Sequence, residues 1–156
     1  MISETINQKI AEAMKARDEI LLSTLRMLSS ALNYEKIAKQ HDLSEEEEIA
    51  VVKKEAKKRL DAISSIKEAE GKNTTSDKGV LEKRLEQESK ELEILKSYLP
   101  EELPNEDLEK IVNEAIQEVG ASSLAEFGRV MGVAMKKTGG RVDGTKVAEL
   151  VKNKLS

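Results

Sequence analysis

Cysteine and tryptophan are absent from this 156-residue chain, and histidine occurs once, as His41. Without cysteine there is no disulfide framework, no thiol nucleophile and no thiolate metal site. A lone imidazole leaves no second histidine for zinc or for a paired catalytic base, so neither a metal nor a cofactor is expected. The aromatic residues are Tyr34, Tyr98 and Phe127. Three rings are too few for the successive platforms on which single-stranded nucleic acid stacks. The two prolines, Pro100 and Pro104, fall close together and leave the rest of the chain without that kind of helix breaker. No apolar run approaches the roughly 18 residues of a membrane span, and the N-terminus shows no basic-then-apolar signal. The expectation is a soluble cytoplasmic protein that does not engage a membrane.

What is present is charge and helical periodicity. Charged residues make up 36% of the chain and apolar residues 38%, enough for a thin core. At this length a compact chain buries roughly 70% of its unfolded surface. Apolar spacing predicts helix almost throughout. Ile2, Ile6, Ile10 and Ala13 mark a first helix behind Ser3 as a cap, and Leu21, Leu25, Leu28 and Leu32 a second, from near Asp18 to about Lys39. Ser44 and Glu47 have capping-box spacing, and the acidic run Glu45 to Glu48 suits the positive end of a helix dipole. The third helix is expected to turn Ile49, Val52, Ala56, Leu60 and Ile63 inward. A polar loop, GKNTTSDKG, covers residues 71–79, and Leu81, Leu85, Leu92, Leu95 and Leu99 make a fourth helix that ends before Pro100. Beyond the prolines, Asn105 caps a fifth helix that stops at Gly120. Ser123 and Glu126 form a second capping box, with Leu124, Phe127, Met131 and Met135 along one face of the sixth helix. Asp143 caps a seventh, carrying Val147, Leu150, Val151 and Leu155. The predicted fold is all-α: an N-terminal domain of about four helices arranged as hairpins over residues 1–100, then a small three-helix tail domain over 101–156.

Charge is unevenly spread. Residues 101–125 hold seven acids and one base, whereas 126–156 hold three acids and seven bases, a net of +4. On an otherwise acidic chain of net charge −4, such an end is either a phosphate-facing patch or a set of solvated helix termini, where cations also suit the dipole. Arg129, Lys136, Lys137, Arg141 and Lys146 are the candidate phosphate contacts. The segment Gly139-Gly140-Arg141-Val142-Asp143-Gly144 combines turn-permitting glycines with a helix N-terminus whose amides attract anions. Asp143 as N-cap competes for those same amides. Gly128 and Gly132 lie on one stripe of the sixth helix, and each costs roughly 1 kcal/mol relative to alanine. Close approach of another helix, or of a nucleic-acid backbone or partner surface, would compensate. With Gly139, Gly140 and Gly144 they make five candidate close-approach glycines. A second basic run, Lys53, Lys54, Lys57, Lys58 and Arg59, is interleaved with acids and reads as salt-bridged helix surface.

No catalytic set is visible. Serine and threonine lack an activating base, and no carboxylate stands in an apolar stretch that would perturb it. The segments LKSYLP (95–100), VGASS (119–123), GRVM (128–131) and GRVDG (140–144) do, however, closely resemble the YqeY family. The N-terminal segments AMKARD (13–18) and TLRML (24–28) fit the same pattern, so the resemblance spans nearly the whole chain. Lys136 and Val142 depart from it, at positions where the family often carries Pro and Ala. The C-terminal part is similar to the tail domain of GatB, the B subunit of the glutamyl/aspartyl-tRNA amidotransferase, which helps hold tRNA while the chemistry occurs elsewhere. The resemblance implies a non-catalytic accessory protein that contacts tRNA through its basic C-terminal helices. A protein-interaction module docking on an amidotransferase or another enzyme is the alternative. A third reading is an accessory subunit of a carbon–nitrogen ligase with glutamine as amido-N-donor.

Overall fold

The computed structural model describes residues 1–72, 78–139 and 141–156. Among them are seven α-helices and no strand: α1 (Ile2–Ala16), α2 (Glu19–Lys39), α3 (Glu45–Gly71), α4 (Lys78–Lys96), α5 (Asn105–Val119), α6 (Phe127–Thr138) and α7 (Gly144–Leu155). The fold is all-α, and one short 3₁₀ turn, Leu124–Glu126, leads into α6. The chain divides into two compact units, Met1–Leu99 and Pro100–Ser156. The centre of the polar loop expected at 71–79 lies outside the described residues, as does Gly140. Gly71 and Gly79, at its edges, are helical.

Local chemistry sets most helix ends. Asp18 accepts from the Leu21 amide at 3.0 Å to start α2. At α3, Glu47 N–H donates to Ser44 Oγ at 3.3 Å, and Ser44 N–H donates to the Glu47 carboxylate at 2.9 Å. Gly120 and Gly139 end α5 and α6 with φ of 68° and 55°, a left-handed conformation that glycine adopts without a Cβ penalty. Asp143 accepts from Thr145 N–H at 3.1 Å to start α7.

Three expected caps are corrected. Ser3 lies inside the first turn of α1, not ahead of it. Asn105 is the first helical residue of α5, because Pro104 takes the extended flanking position. Ser123 makes no side-chain cap; Glu126 reaches back instead to the Ser122 amide at 2.7 Å.

In the first unit Ile6, Ala13, Leu25, Leu28, Leu32, Val52, Ala56 and Leu95 close a core drawn from all four helices. Two features were not expected. Glu48 is fully buried, and its carboxylate accepts from the backbone N–H of Ile2 (2.6 Å) and Ser3 (3.1 Å), and from Ser3 Oγ. The last residue of the acidic run therefore caps α1, not its own helix. Arg59, expected as salt-bridged helix surface, is ion-paired but only 7% exposed. Its Nε donates to Glu91 at 2.6 Å, and Glu55 and Glu88 each lie 3.7 Å away. This buried ionic cluster widens the inner face of α3. Val52 and Ala56 are buried as expected, and Ile49 and Ile63 are half-buried. Val51, Glu55, Arg59 and Ile66 are inside as well, and Leu60, expected inward, is 48% exposed. Tyr98 lies against the core of the first unit, with Lys9 Nζ 4.5 Å from its ring centroid.

The second unit has its own core of Leu108, Val112, Ala115, Val130, Ala134, Val142, Val147, Val151 and Leu155. Val142 fills space in that core. The inward row of α6 is Val130, Ala134 and Thr138. Phe127, Met131 and Met135 are half-buried beside it and Leu124 is exposed, so the α6 face is turned from the one expected.

Candidate nucleic-acid interface

Because α6 buries the row through Val130 and Ala134, helical geometry sends Arg129, Gly132 and Lys136 to the opposite side. These three, with Gly128, are exposed. With Val133 and, from the end of α5, Glu118 and Val119, they line a shallow open groove of about 490 Å³. Arg129 and Lys136 are seven residues apart, which at 1.5 Å per residue is roughly 10 Å along the helix. Among the described residues neither has an ion-pair partner.

Apart from their chain neighbours and the adjoining backbone of α6 itself, Gly128 and Gly132 have no atom of the described residues within 4 Å of where a Cβ would stand. Packing of another helix of this chain, the first explanation for these glycines, is therefore set aside. Their bare backbone faces outward in the groove. A Cβ at Gly144 would make ordinary contact with the Met135 methyl, 3.9 Å away.

The remaining candidate cations are engaged from within. Lys137 Nζ lies 3.1 Å from Glu118 and 3.5 Å from Glu114. The Glu118 carboxylate beside it raises the Lys137 ammonium above its ordinary pKa, so the charge persists well into the alkaline range. Lys146 lies 3.5 Å from Glu102. Arg141 donates from Nε to the Glu101 carbonyl at 3.3 Å, while its own carbonyl accepts from Leu103 N–H at 3.2 Å. That pair ties the segment between the two prolines to the α6–α7 turn. Asp143 occupies the Thr145 amide in the first turn of α7, as its competing role foresaw, so direct anion capture there is weakened.

The structure thus brings Arg129 and Lys136 together with Gly128 and Gly132, and sets Lys137, Arg141 and Lys146 into contacts with the acidic segment 101–118. Sequence reasoning missed Glu114 and Glu118 as part of the surface. They stand one turn apart on α5, but nothing local indicates that Lys137 lies across from them.

On the second basic run, Lys58 pairs with Glu55 at 2.6 Å, as expected for helix surface, while Lys54 and Lys57 are exposed. Among the described residues there is no group of three His, Asp or Glu side chains able to hold a metal ion, and no helix long and apolar enough to cross a membrane. The family model described as Yqey-like protein matches residues 3–155. No curated protein matches the chain.

Proposed function

Since the chain belongs to the Yqey-like protein family, we propose that it is a tRNA-related accessory protein that performs no bond chemistry itself and meets the RNA backbone through its C-terminal unit. One observation carries this reading: two cations that make no ion pair among the described residues share an exposed stripe of α6 with two glycines whose outward faces are bare. Arginine and lysine on a phosphate backbone supply affinity without base readout, and a side-chain-free helix backbone lets that strand come close. With three aromatic residues in the chain, recognition is by shape and backbone. The similarity of this unit to the tail domain of an amidotransferase subunit supports tRNA as the RNA.

The test is binding of unfractionated tRNA across a salt series. Arg129→Glu with Lys136→Glu weakens binding similarly for all tRNA species and flattens the log-salt slope by about two units. Lys54→Glu with Lys57→Glu, on exposed positions of α3, is the control and leaves binding nearly unchanged. Retention of tRNA by the α6 variant together with its loss in the control would move the binding face to the first unit.

A second reading, docking on an amidotransferase or another protein, has its own support. On α2, Ser23, Met27, Ser30, Tyr34 and Ile37 recur at spacings of four and three, and Tyr34 and Ile37 are 77% and 74% exposed. Apolar docking through such a face would be insensitive to salt, which separates it from phosphate binding.

A further inference from the structure

The acids of α5 stand directly against the basic surface of α6. Glu114 and Glu118 both reach Lys137 Nζ, and Glu118 in addition forms a wall of the groove that holds Arg129 and Lys136. A phosphate entering that groove meets two cations and one carboxylate. Lys137 cannot turn toward the phosphate without leaving both acids.

We propose that Glu118, supported by Glu114, sets the affinity of this surface as an internal anion that competes with RNA phosphate for Lys137. The inference rests on the RNA-facing reading given above. The two carboxylates are 58% and 63% exposed and Lys137 is 34% exposed. Ion pairs at such exposure are weak and open readily, so the exchange of partners needs no unfolding. Phosphate oxygens are equally good acceptors of a charge-assisted hydrogen bond from an ammonium group, so Lys137 loses little in the exchange. Without RNA the three cations are offset by two acids on the neighbouring helix. A backbone already held by Arg129 and Lys136 gains Lys137 as a third contact when those acids are displaced.

The experiment uses the full chain with Glu114→Gln and Glu118→Gln together, titrated with unfractionated tRNA at several salt concentrations. The variant binds about three- to tenfold tighter at low salt, and its log-salt slope steepens by about one unit as Lys137 joins the contact. Adding Lys137→Ala to that background removes the gain. Unchanged or weaker binding by the Gln pair, while Arg129→Glu with Lys136→Glu abolishes binding, refutes the competition and leaves the RNA reading standing.

A measurement without RNA keeps the two apart. With a limiting amine-acetylating reagent, Lys137 should label more slowly than Lys136 in the parent protein and at the same rate in the Gln pair. Equal labelling in the parent protein overturns the proposal outright. Slow labelling of Lys137 with no tRNA binding by any variant overturns the RNA reading and the competition with it.

Discussion

Glu48 joins two helices whose sequence positions are far apart, and removing its carboxylate tests that junction. Its side chain is wholly buried, and it receives two backbone N–H groups and one hydroxyl from the first turn of α1. A hydrogen bond to a charged acceptor contributes about 1.5–3 kcal/mol, and an N-cap substitution typically costs about 0.5–2 kcal/mol. The three contacts share one carboxylate and offset its own desolvation, so they do not add in full. Glu48→Ala is therefore expected to destabilise the first unit by about 2–4 kcal/mol, the larger part from orphaned amides. Glu48→Gln keeps the volume but replaces a charged acceptor at a helix N-terminus by a neutral one, and is expected to lose about 1–2 kcal/mol. With a urea dependence of about 2 kcal/mol per molar, the midpoint falls by roughly 1–2 M for the alanine variant. Hydrogen exchange localises the effect: amides of α1 lose protection first, while those of α3 keep theirs. Glu46→Gln, on an exposed neighbour, is the control. If Glu48→Gln matches the parent in urea and in exchange, the carboxylate is not what holds α1, and the argument fails.

Arg59→Met leaves Glu55, Glu88 and Glu91 facing one another without their shared cation, and thermal unfolding should show a loss of about 3–5 kcal/mol, partly restored by adding Glu91→Leu. Glu47 has its pKa lowered from 4.5 to about 2, first by the Lys39 side chain and then by the Ser44 amide. Because the folded value is depressed, its stabilisation is present above the unfolded pKa and is lost as pH falls from about 4.5 toward about 2. Circular dichroism over that range should show fraying at the start of α3, and Glu47→Gln should remove that pH dependence. Gly128→Ala with Gly132→Ala should raise stability by up to about 1 kcal/mol per site, since both lie in an exposed helix with free space around them. The same pair should weaken tRNA binding, and tighter or equal binding would argue against a close backbone approach.

What the sequence made legible was the chemistry that acts over three or four residues. Asp18, the Ser44–Glu47 pair, Gly120, Gly139 and Asp143 stand where helix ends need them, and their roles follow from spacing alone. What it hid acts over longer separations. Glu48 looked like part of an acidic first turn, yet its partners are Ile2 and Ser3. Arg59 looked like salt-bridged helix surface because its neighbours in sequence are charged, whereas its main partner, Glu91, is 32 residues away. Leu60, next to it, is exposed although Val52 and Ala56 on the same row are buried. The candidate site divided in the same way. Arg129 and Lys136 share a helix stripe that periodicity reveals, but the acids that engage Lys137 and Lys146 come from α5 and the segment before it. No local pattern announces them.

The cluster at Arg59 also bears on how α3 and α4 can slide past one another. Glu88 Oε2 is buried without a hydrogen-bond partner and lies 3.7 Å from Arg59 Nε, one turn of α4 before Glu91. Displacing α4 so that Glu88 replaces Glu91 would keep a carboxylate on the guanidinium throughout. The opposite displacement would carry Leu95 toward the place of Glu91 and Glu91 toward that of Glu88, while Glu55, on α3 with Arg59, stays 3.7 Å away. A carboxylate therefore remains beside the guanidinium whichever way α4 slides, so the register of the helix pair has to be held by its apolar contacts, Leu92 and Leu95 among them.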